Sequence, residues 1–294
     1  MKELVVVSGK GGVGKTSIAA SLAVLLSRKL KVTAADTDVD APNLAIVLGA
    51  DVRRELDVRS SEKAVVDVSK CTGCGKCVEV CKFSSITLAE GKAVVDRLAC
   101  EGCGACSIVC PTNAISIVQV KTGEVGVADT EYGFKLVSGH LEIGEANSGH
   151  VVTAVKWLAR RKAEEEGADL LIVDGPPGIG CPVIASLAAA SHALVVSEPT
   201  PAGAWNLTRI IQVINHFKIP FMLVVNKWNL SPQYTTALEA IAKQGGGELA
   251  ARIPVDYTIA EAMAMRKPVV AYKPEAESSK AIAKLADIIL ERLS

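Results

Sequence analysis

The stretch LVVVSGKGGVGKTSIAASLAVLL at 4–26 constrains the fold more than any other part of the chain. A β-branched run passes into a glycine-rich turn and at once into an Ala/Leu-rich segment of helical spacing. That order predicts strand, tight loop and helix in direct succession. Further apolar runs recur at 31–35 (KVTAA), 170–173 (LLIV), 194–197 (LVVS) and 221–225 (FMLVV), and helical spacing covers 16–30, 150–166, 202–216 and 233–244. Strand alternating with helix is the pattern of an α/β fold, an open, mostly parallel sheet with helices on both faces. Apolar residues make up 49% of the chain and aromatics only 4%. The buried material is therefore Ala, Val, Ile and Leu, which suits strands covered on both faces.

This rhythm breaks between 50 and 149, and eight of the nine cysteines fall inside the break, from Cys71 to Cys110. The break carries an internal repeat: CTGCGKCVEVCKFSSITL at 71–88 aligns with CEGCGACSIVCPTNAISI at 100–117, offset by 29 residues throughout. An inserted domain over 57–119 is the expected account, with 1–56 and 120–294 forming the larger domain. The return segment 120–147 carries several glycines and is expected to be a hairpin or loop.

Lys plus Arg and Asp plus Glu number 32 each, so no net field points to nucleic acid or to an anionic membrane. The first apolar run is strand-length and leads into glycines, unlike a signal peptide. The tail 277–293 places Ile282, Leu285, Ile288, Ile289 and Leu293 on one stripe, opposite a face of mixed charge. That mixture predicts a helix docked on the core rather than lying on a membrane. The expectation is a cytoplasmic protein with no nucleic-acid partner and no stable membrane anchor, in which a disulfide framework is out of place.

SGKGGVGKT at 8–16 has the strand–loop–helix context of a Walker A motif. Gly9, Gly11, Gly12 and Gly14 let successive amides, with those of Lys10 and Val13, turn toward phosphate oxygens. Lys15 is placed to reach the β- and γ-phosphates, and the Thr16 hydroxyl to ligate Mg²⁺, with Ser17 next in the helix. ATP with Mg²⁺ is the predicted ligand.

The whole string GKGGVGKT at 9–16 resembles the deviant Walker A of the MinD/ParA/nitrogenase-reductase class. The resemblance implies that Lys10 reaches across a dimer interface to the partner's nucleotide, in an ATP-bound homodimer. Two further stretches match that class. DTDVD at 36–40 is similar to a switch I segment, whose aspartates Asp36 and Asp38 would position water and feel Mg²⁺, with Asp40 also open. DGPPG at 174–178 is similar to a Walker B/switch II segment, in which Asp174 would hold Mg²⁺ and the Gly178 amide would feel the γ-phosphate. VVNK at 224–227 and IPVD at 253–256 resemble the segments around adenine, which implies contacts from Asn226, Pro254 and Asp256.

C-x₂-C-x₂-C-x₃-C occurs twice, and all eight positions match a bacterial-type ferredoxin. In two-cluster ferredoxins the fourth cysteine of each run ligates the other cluster. The repeat then predicts one [4Fe–4S] on Cys71, Cys74, Cys77 and Cys110, and a second on Cys100, Cys103, Cys106 and Cys81. Zinc would use pairs of C-x₂-C and leaves the third cysteine of each run without a role. Lys82 follows Cys81 where a proline is usual, unlike Pro111 after Cys110. Cys181, seven residues past Asp174, reads either as a small residue at a helix start or as a ligand to a cluster shared between subunits, as in nitrogenase reductase.

Taken whole, the chain is similar to MinD-superfamily P-loop ATPases containing an inserted two-[4Fe–4S] ferredoxin domain. The implied activity is an ATP-driven dimer switch that gates electron transfer to a redox or metalloenzyme partner. The alternative is a nucleotide-switched carrier or assembly protein for clusters or a client metalloenzyme.

Overall fold

The computed structural model describes residues 1–145 and 148–293. It divides into two compact units, one of Met1–Leu56, Val125–His140 and Gly149–Ser294, the other of Asp57–Glu124 and Leu141–Ser148.

The larger unit is built on strands β1 (Lys2–Ser8), β2 (Val32–Asp36), β3 (Arg53–Val58), β8 (Gly123–Asp129), β9 (Lys135–Leu141), β10 (Leu170–Pro177), β11 (His192–Ser197), β12 (Phe221–Asn226) and β13 (Glu248–Ile253). They form one nine-stranded sheet in the order β13-β12-β11-β1-β10-β2-β9-β8-β3. Every pairing from β13 to β9 is parallel. The central strands are continuous apolar runs because helices cover both faces; Leu4 to Val7 and Leu170 to Val173 are at most 1% exposed.

The sheet is wider than five apolar runs suggest. The return segment supplies β8 and β9, joined by a turn in which Thr130 N donates to Phe134 O at 3.0 Å. β9 then lies parallel to β2, with Asp36 opposite Ser138. The segment is thus both a hairpin and an integral part of the sheet. Its strands escape periodicity reading because glycines and charges interrupt the apolar alternation. The second unit also reaches past 119, to Glu124, and takes back 141–148.

Helix α1 (Lys15–Leu26) follows β1 directly, and its N-cap Gly14 sits at φ 89, a left-handed conformation that favours glycine. Between α2 (Leu44–Val47) and the later helices comes α5 (Ser148–Glu166), then α6 (Cys181–Leu187), α7 (Pro201–His216), α8 (Pro232–Gln244), α9 (Thr258–Ala264), α10 (Val269–Tyr272) and α11 (Glu277–Leu293). Pro201 and Pro232 stand at helix starts where no amide is needed. Helix α11 packs on α1 and β13, burying Ile282, Leu285, Ile289 and Leu293. Among the described residues, no helix is long and apolar enough to cross a membrane.

The smaller unit holds the antiparallel pair β4 (Ser61–Val66) and β7 (Ile115–Val120), the hairpin β5 (Ile86–Ala89) and β6 (Lys92–Val95), and two short helices, α3 (Lys76–Val80) and α4 (Ala105–Ile108). Its core is small: Ala64, Ile86, Ala93 and Ile115 pack with Cys77, Cys100 and Cys106. The cysteines are thus part of the little apolar material this unit has.

Candidate functional site

From β1 the chain moves past β10 to β2, and from β10 it returns past β1 to β11. This reversal opens a crevice at the carboxyl ends of β1 and β10, where ligands of open α/β sheets bind. The register between β1 and β10 shifts between Val6 and Ser8. At that level the phosphate loop leaves β1, while DGPP forms the last residues of β10, with Pro177 opposite Ser8.

Lys15 is 6% exposed and donates to Asp174 Oδ1 at 2.8 Å; Asp174 is fully buried. Burial pulls the Lys15 pKa down, but the adjacent Asp174 outweighs it and the net direction is up. The other carboxylate oxygen, Asp174 Oδ2, is buried with no hydrogen-bond partner among the described residues. An orphaned carboxylate oxygen beside a glycine-rich loop fits hydrated Mg²⁺, a hard cation that takes oxygen ligands.

Asp36, also fully buried, accepts from the amides of Asp38 (3.1 Å) and Leu44 (2.9 Å). Burial and then the Asp174 charge push its pKa up to about 8. Its carboxylate therefore organises the turn of DTDVD, while Asp38, half-buried, is the more open of the two. The pKa of Asp38 is also raised, chiefly by burial. Thr37 ties the two strands together, donating from N and Oγ1 to the Asp174 carbonyl, each at 2.9 Å.

Three expected nucleotide contacts are engaged within the protein. The Gly178 amide donates to Ser8 O at 2.9 Å, joining the DGPPG turn to the start of the phosphate loop. Asn226 Nδ2 donates to Val13 O at 2.8 Å, and its Oδ1 accepts from Lys227 N at 3.0 Å. A Cβ at Gly14 would lie 2.4 Å from Asn226 Nδ2, so Asn226 braces the phosphate loop with one of its two amide hydrogens. Asp256 caps two helices instead of facing a ligand: Oδ1 accepts from Thr258 N (2.9 Å), and Oδ2 from Ser278 N (3.1 Å) and Ser278 Oγ (2.8 Å). Pro254 follows β13, whose Ile253 pairs with Asn226. Ser17 Oγ contacts Met263 Sδ at 3.5 Å, which brings α9 onto the first turn of α1.

Burial alone would raise the Asp256 pKa, but these hydrogen bonds outweigh it and bring the value down to about 2. A depressed carboxyl contributes stability above its ordinary 3.8 that is lost as pH falls toward about 2. Asp256→Ala should destabilise the chain by about 1–2 kcal/mol at neutral pH, and should flatten the loss of stability below pH 4. Urea denaturation at several pH values reads both.

Sequence reasoning missed Glu198. It lies just past β11, in a segment (SEPTP) that carries no motif, and binds both Lys10 Nζ and Lys227 Nζ, the latter at 3.1 Å. Burial favours its protonated form, yet the two lysines prevail and its pKa is lowered. Lys227 holds a left-handed conformation (φ 55) and comes within 3.5 Å of Gly12 O. Lys10 is thus held by a carboxylate of its own chain. Glu198→Gln weakens that hold, and the apparent affinity for ATP should rise about tenfold, for about 1.4 kcal/mol of charge-assisted bonding released. Equilibrium nucleotide binding measures it.

In the smaller unit the eight cysteines line two cavities of similar size. One, of about 20 Å³, is walled by Cys71, Cys74, Cys77 and Cys110, with Lys76 and Thr112. The other, also of about 20 Å³, is walled by Cys81, Cys100, Cys103 and Cys106, with Phe83 and Glu101. Backbone N–H groups point at sulfur: Ala93 N to Cys71 Sγ (3.4 Å), Ala64 N to Cys100 Sγ (3.4 Å) and Ala114 N to Cys110 Sγ (3.2 Å). A Cβ at Gly73 would lie 2.1 Å from Gly91 O, and one at Gly102 2.1 Å from Glu62 O. Both glycines also hold positive φ. Among the described residues, no three His, Cys, Asp or Glu side chains close on a single metal ion. Four thiols that share a lining without closing on one ion fit a polynuclear group better than zinc. Cys181 is exposed at the start of α6.

A family model described as the CobQ/CobB/MinD/ParA nucleotide binding domain matches residues 4–269. An uncharacterised protein of Methanocaldococcus jannaschii is 38% identical over 225 residues, covering 76% of this chain and 78% of that one. An iron-sulfur cluster carrier protein of Pyrococcus horikoshii is 22% identical over 304 residues, covering 99% of this chain and 86% of its own length. In fold, the chain is similar to the septum site-determining protein MinD of Pyrococcus horikoshii, solved with Mg-ADP. The TM-score is 0.60 at 18% identity, covering 98% of this chain and 95% of that one.

Proposed function

Because the chain belongs to the CobQ/CobB/MinD/ParA nucleotide-binding family, we propose that it is an ATPase whose nucleotide-driven pairing of two copies gates electron transfer through two [4Fe–4S] clusters to a protein partner. The observation that carries this reading is the presence, in one chain, of a buried Lys15–Asp174 pair at a phosphate loop and two cavities each walled by four cysteines. The nucleotide is assigned to the segment 1–56 with 120–294, and the clusters to 57–119.

In this reading the amides of the phosphate loop and Lys15 bind the phosphates, while Thr16, Asp38 and Asp174 hold Mg²⁺, which supplies charge neutralisation at the reacting phosphoryl. Asp36 fixes the turn that presents Asp38. Lys10 leaves Glu198 to reach the nucleotide of a second copy, so that ATP binding and dimerisation favour each other. The chain enters the cysteine-bearing unit at Asp57, soon after Asp36 and Asp38. The segment that answers to γ-phosphate is joined to it through α2 and β3. The clusters, when bound, would store and release single electrons. The cysteines would hold them, with Cys77, Cys100 and Cys106 at most 7% exposed.

The burial of these three thiols favours resident clusters, although Cys74 and Cys103 are exposed. A second reading, an ATP-switched cluster carrier, is favoured by the relatives named iron-sulfur cluster carrier proteins. One experiment separates them: anaerobically loaded protein is mixed with an apo-acceptor, with MgADP or a non-hydrolysed ATP analogue, and iron is followed in both proteins. Retention of both clusters, with nucleotide-dependent dimerisation by sedimentation, is the expected result. Nucleotide-dependent transfer of iron to the acceptor would sink electron gating in favour of the carrier.

A further inference from the structure

The repeat that builds the two cysteine cavities is longer than the cysteine motifs. EKAVVD at 62–67 and GKAVVD at 91–96 precede them at the same 29-residue offset. The structure repeats the contacts too. Lys92 Nζ donates to the Cys71 carbonyl as Ala93 N donates to Cys71 Sγ. Lys63 Nζ donates to the Cys100 carbonyl at 2.8 Å as Ala64 N donates to Cys100 Sγ. With the backbone frames matched, differences in charge at equivalent positions stand out.

Within the cavity linings those differences share one sign. Lys76 lines the first cavity, and its equivalent at the second is Ala105; Glu101 lines the second, and its equivalent at the first is Thr72. Lys63 is also paired with Glu145 at 3.4 Å, and Lys92 has no such counter-charge among the described residues. The backbone that meets Gly102 belongs to Glu62, while that at Gly73 belongs to Gly91, which brings no charge. Lys82, beside Cys81, and Glu79, in α3, work the other way, but neither lines a cavity, whereas Lys76 and Glu101, equally exposed, do.

A [4Fe–4S] centre gains one negative charge on reduction, so nearby cations raise its potential and nearby anions lower it. We propose that the two centres are inequivalent: the one held by Cys71, Cys74, Cys77 and Cys110 accepts an electron first, and Lys76 and Glu101 are the residues that set the two apart. This rests on the cluster reading above. Reduction here takes one electron from a low-potential one-electron donor, with no bond made or broken. The first cavity is then the resting place of a single electron. The second is filled only under stronger reduction.

The test is EPR at controlled potential on the anaerobically reconstituted full chain, alongside Lys76→Ala, Glu101→Thr and the double variant. Two steps are expected, separated at least tenfold in equilibrium constant, which is about 59 mV for one electron. Lys76→Ala should lower only the upper step, Glu101→Thr should raise only the lower one, and the double variant should bring them together. A single unresolved step in the parent protein, or a lower step that moves with Lys76→Ala, would overturn the proposal. Iron and sulfide analysis separates the two levels: content short of two clusters overturns the cluster reading, whereas full content with equal potentials overturns only the asymmetry.

Discussion

Asp174→Ala should destabilise the chain by about 3–5 kcal/mol, the usual cost of leaving a buried charge without its partner. Lys15 is 6% exposed and Asp174 is fully buried. Truncating the carboxylate leaves a buried ammonium group without its hydrogen-bond partner, with only the Asp36 and Asp38 charges still acting on it. Asp174→Asn keeps the shape and one acceptor for Lys15. It should cost less stability while still abolishing Mg²⁺-dependent hydrolysis, because the orphaned Oδ2 is replaced or neutralised. Urea denaturation of the metal-free protein together with ATPase assays distinguishes the two effects. A stability change under 1 kcal/mol in Asp174→Ala would show that the pair does not hold the crevice together.

The second large effect crosses the repeat. Cys110→Ser lies in the second motif but should remove the proposed cluster of Cys71, Cys74 and Cys77, whose cavity Cys110 completes. Iron content should fall by about half, because a cubane site of four thiolates does not hold firmly on three. Double variants make the assignment. Adding Cys74→Ser to Cys110→Ser should cost no further iron, since both act on one site and such effects are not additive. Adding Cys103→Ser should empty the second site as well. Equal iron loss in both double variants would rule out the crossed arrangement.

The family and the phosphate loop were legible because their signals are local. Residues 4–26 carry strand, loop and helix in consecutive positions, and no distant residue is needed to recognise them. The cysteines were legible for a related reason: a spacing repeated at constant offset implies a repeated backbone frame, and the cavity walls have the membership that the repeat suggests. The sheet was less so. Strands β3, β8 and β13 carry charged residues or glycines in place of continuous apolar runs, and an edge strand needs no buried second face to be stable.

The contacts at the site divide in the same way. Lys15, Thr16 and the glycines of the loop were assigned by position within one motif. Glu198 carries no motif and matters only because β11 lies next to β1, which sets its carboxylate beside Lys10. Asn226 and Asp256 sit in segments that resemble base-binding turns, yet packing gives the first to the phosphate loop and the second to two helix starts. A sequence by itself determines which groups a short backbone segment presents and how often a frame recurs. Which of those groups remain free for a ligand depends on residues about two hundred positions away in this chain, as with Lys10 and Glu198, brought together only when the sheet closes.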